Sequence, residues 1–277
     1  TKDGQDVVPF ANILAEGTQI GTVSNQEGQF ELNTTKLGNK FTLIVSVIGF
    51  KTARIKVNMT EKTTDLIIKL GENVIELEEV VFKYLSAEDI FENFHKNYTS
   101  NYFQGSSRTK AFYHSTLSEN GAYKHLLEAT ITIREFTKKK HRDFEVEMTQ
   151  RRKSNDYRLE RWGDKNNYLS DAIANNPMLK LSDFLALKNQ KEYKITRLAD
   201  TNYNDELVYV LQFTPNEKSK KALFAAKAYF NASDFALIKA EYDFQNDKRK
   251  IKNQSLKDRT YHIPFISGNI QYQKIGE

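Results

Sequence analysis

The chain has 277 residues, a net charge of +5 and no cysteine. It is long enough for two ordinary domains, each with its own core. The missing cysteines exclude disulfides, thiolate nucleophiles and Cys-based metal sites. No stretch approaches the roughly 18 apolar residues of a membrane-spanning helix, and the opening "TKDGQDVVPF" lacks the basic-then-apolar order of a secretory signal.

Charge divides the chain. Residues 1–82 carry 8 Lys/Arg against 11 Asp/Glu, and residues 83–277 carry 33 against 25. The change of sign places a domain boundary near residue 82. An excess of 8 spread over the second part is too dilute to point to nucleic acid.

The first 82 residues read as short strands separated by turns, the pattern of a small β-sandwich. In "IGTVSNQEGQFEL" (20–32), Gly28 marks a tight turn, and Phe30 and Leu32 return the chain to the core as the second arm of a hairpin. "FTLIVSVIGF" (41–50) puts Phe41, Leu43, Val45 and Val47 on one face and Thr42, Ile44, Ser46 and Ile48 on the other. Both faces are partly apolar, so the strand is expected to be central and buried. "ARIKV" (53–57) and "LIIKL" (66–70) alternate more cleanly and read as outer strands, with Arg54, Lys56 and Lys69 facing water.

"PFANI", "GTVSNQEGQFEL", "LIVSVIGFKT" and "LEEVV" follow one another as they do in the carboxypeptidase-regulatory-like domain, which residues 1–82 resemble. The resemblance implies a transthyretin-like sandwich of the kind carried by Bacteroidetes envelope proteins, an accessory domain without catalytic residues. The strand that opens the family pattern is largely missing upstream of "DGQDVVPFANI".

Residues 83–104 read as a linking helix. Ser86 caps it, Glu88 and Asp89 occupy its first turn, and Ile90, Phe94 and Tyr98 form one stripe. "YKHLLEATITIREF" (123–136) is a long strand with Leu127, Ala129, Ile131 and Ile133 on a dry face. Further strands are expected at "DFEVEMTQ", "KEYKITRL", "ELVYVLQF", "LFAAKAYF" and "FALIKAEYDF", with turns at "SENG", "NYND" and "NASD". A second helix is expected after Pro177 at "MLKLSDFLAL", and "GNIQYQKIGE" reads as a final strand. The order of these segments over residues 105–277 resembles relatives of the lipoprotein-carrier half-barrel, an antiparallel sheet curled around helices. Where that pattern reads Tyr-Arg-Glu, this chain has Tyr113, His114 and Ser115.

"HLLE" (125–128) has the His-x-x-Glu spacing of zinc carboxypeptidases, but residues three apart on a strand face opposite ways, so a shared ion is not expected there. No Gly-x-Ser-x-Gly elbow occurs. His95, His114, His125, His141 and His262 are read as structural or surface residues. "KKKHR" (138–142), "RRK" (151–153) and "DKRKIK" (247–252) fall at or near strand ends, where basic residues are usually solvated and discourage edge pairing; contact with phosphate or anionic lipid is the sharper reading.

A curled sheet either fills its concave face with large side chains or leaves an apolar cavity. Tyr209, Leu211, Phe213, Phe230 and Phe235, with Phe224 and Leu237 beside them, are the candidates for that face. The fold expected is mainly β, a sandwich followed by an antiparallel half-barrel-like domain with one or two short helices. The function expected is a non-catalytic binding or scaffolding module of a Gram-negative cell envelope, periplasmic or associated with the outer membrane. It needs no cofactor or metal, and its partner is expected to be another envelope protein, not nucleic acid. The alternative is a lipid or lipoprotein carrier using the concave face.

Overall fold

A computed structural model describes residues 7–59, 66–73, 85–102, 105–119, 122–138, 141–154, 181, 183–217, 219, 224–244 and 267–272. In chain order the elements are β1 (Asn12–Ala15), β2 (Gly21–Val23), β3 (Lys40–Ser46), β4 (Ala53–Asn58), α1 (Ala87–Asn101), β5 (Ser107–Glu119), β6 (Ala122–Lys138) and β7 (His141–Lys153). They continue with β8 (Tyr193–Arg197), β9 (Thr201–Tyr203), β10 (Glu206–Pro215), β11 (Phe224–Asn231), β12 (Leu237–Phe244) and β13 (Ser267–Gln271). The protein is mainly β, every described strand pair is antiparallel, and none of the sheets closes into a barrel. Two compact units result, one of residues 1–98 with 183–277, the other of residues 99–182.

The first unit opens with a four-stranded sheet in the order β2-β1-β3-β4. Alternation decides what it buries. Ile13 and Ala15 of β1 and Leu43 and Val45 of β3 meet Ala11 and Leu70 in the core, with Phe30, Leu32, Phe41, Ile55 and Ile68 packed around them. As its two apolar faces require, β3 is central. Two expectations are corrected among these residues. Residues 30–32 form no strand, so the hairpin is β1–β2, closed by a turn with Gly17 at φ 73°. The tight turn expected at Gly28 is present (φ 72°), closed by the Gly28 amide on the Asn25 carbonyl and by the Asn25 side chain, which accepts from the amides of Glu27 and Gln29. Such an Asx turn satisfies the backbone without a ladder, and Phe30 and Leu32 still reach the core as irregular chain. Residues 66–70 also lack strand pairing; just after them Glu72 makes an isolated bridge to Phe50, beyond the end of β3.

The same unit contains a six-stranded sheet in the order β13-β12-β11-β10-β8, with β9 on β10. Asn204 and Asp205, both at positive φ (51° and 63°), make the β9–β10 turn at "NYND", as a two-residue hairpin between right-twisted strands requires. The helix α1 begins as its residues dictate. Ser86 Oγ accepts from the Asp89 amide at 3.0 Å, and the Asp89 carboxylate accepts in return from the Ser86 amide at 2.9 Å, a reciprocal cap. Where a second helix was expected, two 3-10 segments stand at Asp183–Leu185 and Leu187–Glu192. The φ of 52° at Asp183 is incompatible with an α-helix running through it; Pro177 itself lies outside the described residues.

The second unit contains the sheet β5-β6-β7. Ala129, Ile131 and Ile133 form its buried stripe with Ala111, Tyr113, Phe144 and Val146, on the dry face that the alternation of β6 implies. A bulge in β7 sets Thr130 opposite Gln150 and Ile131 opposite Met148. "LEEVV", "DKRKIK" and His262 lie outside the described residues.

Candidate functional site

The register of the six-stranded sheet brings the sequence candidates onto one face. Tyr209, Leu211 and Phe213 of β10 lie opposite Phe230, Ala228 and Ala226 of β11, which lie opposite Leu237, Ala240 and Tyr242 of β12. The alanines hollow the middle of this face, and α1 fills it. The Phe91 ring meets Phe213 edge-on at 5.5 Å and the Phe94 ring sits 5.2 Å from Phe230. From the first 3-10 segment Phe184 adds its ring, 5.5 Å from Phe213 and 6.2 Å from Tyr242. Leu211, Phe213 and Phe230 are fully buried. Tyr209 and Phe235 form a separate pair at the rim, rings 6.0 Å apart. Phe235 takes a φ of 61° to reach it, and the Arg197 guanidinium lies 4.9 Å over the Tyr209 ring. Arg197 also donates to the Leu85 carbonyl at 2.5 Å and forks onto Asp200, which fixes the entry to α1.

His95 lies within this packing, 4.7 Å from the Phe91 ring and 5.0 Å from Phe94. Its Nε2 is buried without a partner. Burial pushes its pKa below the ordinary histidine value, against a hydrogen bond to the Leu185 backbone that favours the charged form. The imidazole is therefore neutral near pH 7 and serves to join α1 to the 3-10 segment.

The opposite face carries the other half of the unit. Ile48, two residues beyond β3, packs with Tyr203, Val208, Tyr229 and Ile238, and the Gly49 amide donates to the Asn202 carbonyl at 2.9 Å. The buried Tyr203 hydroxyl gathers three polar side chains: Asn12 Nδ2 at 3.1 Å, Gln271 Nε2 at 3.3 Å and Ser46 Oγ at 3.5 Å. At its C-terminal end this face of β3 and the residues after it, Ser46 and Ile48, meet the second sheet.

Beyond that contact the outer face is polar. Thr196, Gln212, Lys227, Glu241 and Asn269 form one row across five strands. Glu241 accepts from Lys239 at 2.6 Å and from the Tyr229 hydroxyl at 3.1 Å, and the Lys239 ammonium lies 5.6 Å over the Tyr229 ring. Burial, then the charge and hydrogen bond of Glu241, raise the Tyr229 pKa; burial also works against ionised Glu241, but Lys239, Tyr229 and Lys227 outweigh it and hold the carboxyl below its usual range. The cluster thus pairs a tyrosine hydroxyl held in its neutral form with a carboxylate that its lysine keeps charged.

In the second unit, His114, Glu128 and Arg152 form a row across three strands. Glu128 meets His114 Nδ1 at 3.2 Å and accepts from Arg152 at 2.6 Å. The carboxylate of "HLLE" is therefore engaged from both flanks, and among the described residues no group of His, Asp or Glu could hold a metal ion.

Residues 1–82 match the CarboxypepD_reg-like domain. No curated protein matches the chain in sequence. Among solved structures, a LolA superfamily protein from Nitrosomonas europaea is 14% identical over 57% of this chain and 72% of its own, with a TM-score of 0.23; a likeness at that score carries no weight below.

The sequence singled out the aromatic strands and missed what lies against them. Tyr203 docks the regulatory-like domain on the second sheet, yet only the final register puts its hydroxyl beside Asn12, 191 residues away. Arg197 stands on an alternating strand and carries no local mark. Phe91 was visible as a fourth apolar position of α1, next to Ile90 and three residues before Phe94.

Proposed function

We propose that this protein is a non-catalytic, extracytoplasmic binding or scaffolding module of a bacterial cell envelope, in which the regulatory-like domain and the six-stranded sheet act as one body. The observation that carries the proposal is the occupancy of the aromatic face. A carrier needs a dry, open concavity for an acyl chain; here the rings of Phe213 and Phe230 are already in contact with Phe91 and Phe94. The CarboxypepD_reg-like family is itself regulatory and non-catalytic. The polar clusters add further support, since each charged group in them has a structural partner. The partner is another envelope protein.

The test is native purification from the envelope with in situ cross-linking, followed by organic extraction of half the sample and mass spectrometry of both halves against a mock preparation. The expected result is one or a few reproducible cross-linked envelope proteins and no acyl species at stoichiometric level. A stoichiometric lipid, accompanied by loss of cross-linked partners, would overturn the proposal in favour of a carrier.

A further inference from the structure

We propose that the β5 side of the second unit rests on an anionic membrane surface, with Arg108 and Lys110 against the lipid head groups and Phe112 inserted beside them. The register sets Arg108 directly opposite Arg134, and like charges across two strands oppose the pairing. Arg134 is engaged on its other side, its guanidinium on Glu147 of β7 at 2.8 Å. Arg108 and Lys110 are both exposed, and among the described residues neither has a hydrogen bond or an ion pair. The sheet therefore holds two cations that it does not neutralise, one of them against a third, and an external layer of anions relieves that repulsion.

The next residue on that face selects a lipid surface as the source of the anions. By alternation Arg108, Lys110 and Phe112 share one face of β5, in a line of about 13 Å. Phe112 is 44% exposed and stands across from Thr130, so no apolar residue faces it on β6. A lone exposed phenylalanine is ordinary. In line with two unpaired cations it makes an interfacial contact, where buried apolar area and attraction to anionic lipid add. The acids of the same face, Asp143, Glu145 and Glu147, all stand on β7, two strands or about 10 Å away, so the β5 side is positive on its own. The β6–β7 hairpin closes this end of the sheet, with Thr137 opposite Arg142 and Lys138 opposite His141, which brings two further basic positions to it. A surface contact of this kind is reversible and is lost on purification, so it leaves no stoichiometric lipid and does not depend on the partner proposed above.

Vesicle flotation of the full chain tests this. Phosphatidylcholine vesicles with phosphatidylglycerol added are expected to carry the protein at about 0.1 M salt and to release it at about 1 M, as the Debye length falls from about 10 Å to about 3 Å. Vesicles of phosphatidylcholine alone are expected not to carry it. Each basic residue at an anionic surface strengthens binding about fivefold, so Arg108→Glu with Lys110→Glu is expected to weaken it at least roughly twentyfold. Lys56→Glu with Lys194→Glu makes the same change of net charge on the other unit and is expected to leave binding nearly as it was. All four positions are exposed, and circular dichroism is expected to be unchanged in both variants. The absence of cysteine allows a single bimane label: at Phe112→Cys its emission is expected to shift to the blue on the anionic vesicles, and at Met148→Cys on β7 it is not. Failure to float, equal flotation with both kinds of vesicle, equal loss in the two double variants, or a label at position 112 that does not respond each overturns the proposal.

Discussion

Truncating Phe213 separates a packed core from a ligand surface. Its ring is fully buried and touches Phe91 and Phe184 at 5.5 Å and Tyr193 at 6.1 Å, so Phe213→Ala leaves a cavity walled by three aromatic rings on three different elements. Removing a buried phenylalanine costs about 3–5 kcal/mol. The upper half of that range applies here, because rings held by a helix, a 3-10 segment and a strand cannot all collapse into one void. For a body of this size each kcal/mol moves Tm by about 2–4 °C, which gives a fall of roughly 8–20 °C by calorimetry. Thr214→Ala, one residue along on the exposed side, is expected to leave Tm unchanged within about 1 °C. A Phe213→Ala protein melting within about 2 °C of the parent would refute the reasoning, and with it the reading of this face as core.

Tyr203→Phe removes the acceptor shared by Asn12 and Gln271 and is expected to cost about 1–3 kcal/mol in urea unfolding, with an unchanged m-value as the check that the unfolded state is unaffected. Gly268→Ala would place its Cβ 2.3 Å from the Tyr242 ring; the ring must leave Phe224 and Phe184, and near-ultraviolet circular dichroism is expected to change before far-ultraviolet does. Acidification acts through His95. Its pKa is lowered in the fold, so the unfolded chain takes up a proton first; stability is complete above the ordinary value of 6.5 and falls as pH drops below it towards the folded value. Chemical melts between pH 7.5 and pH 5 measure that loss, and His95→Gln is expected to flatten it.

What could be read from the chain follows how locally each feature is specified. Ser86, Asp89 and the apolar spacing of Ile90 and Phe94 lie within nine residues, and α1 formed as they imply. The two-sided apolarity of β3 implied burial on both faces, and the alternation of β6 named its dry face residue by residue. Expectations failed where the chain packs without a ladder. The turn at Gly28 formed as read, but residues 30–32 and 66–70 send Phe30, Leu32, Ile68 and Leu70 to the core as irregular chain. The candidate face could be assembled from β10, β11 and β12, but whether it stood open depended on where α1 came to rest. That is a contact between segments more than a hundred residues apart, and periodicity does not encode it.

The capping of the aromatic face also sets an order of events. Any passage that delivers the chain from its N-terminus forward, whether from a ribosome or across a membrane, presents Phe91 and Phe94 long before the strands that hold Phe213 and Phe230. At roughly 5–20 residues per second, the apolar stripe of α1 waits for several seconds to tens of seconds with nothing to lie against, and the docking surface around Ile48 waits with it for Val208 and Ile238. The finished fold covers these two surfaces, but only at the end of synthesis or transit. A holding chaperone therefore has its natural target in the first hundred residues, and slow delivery, more than low final stability, is the condition under which this protein would be lost to aggregation.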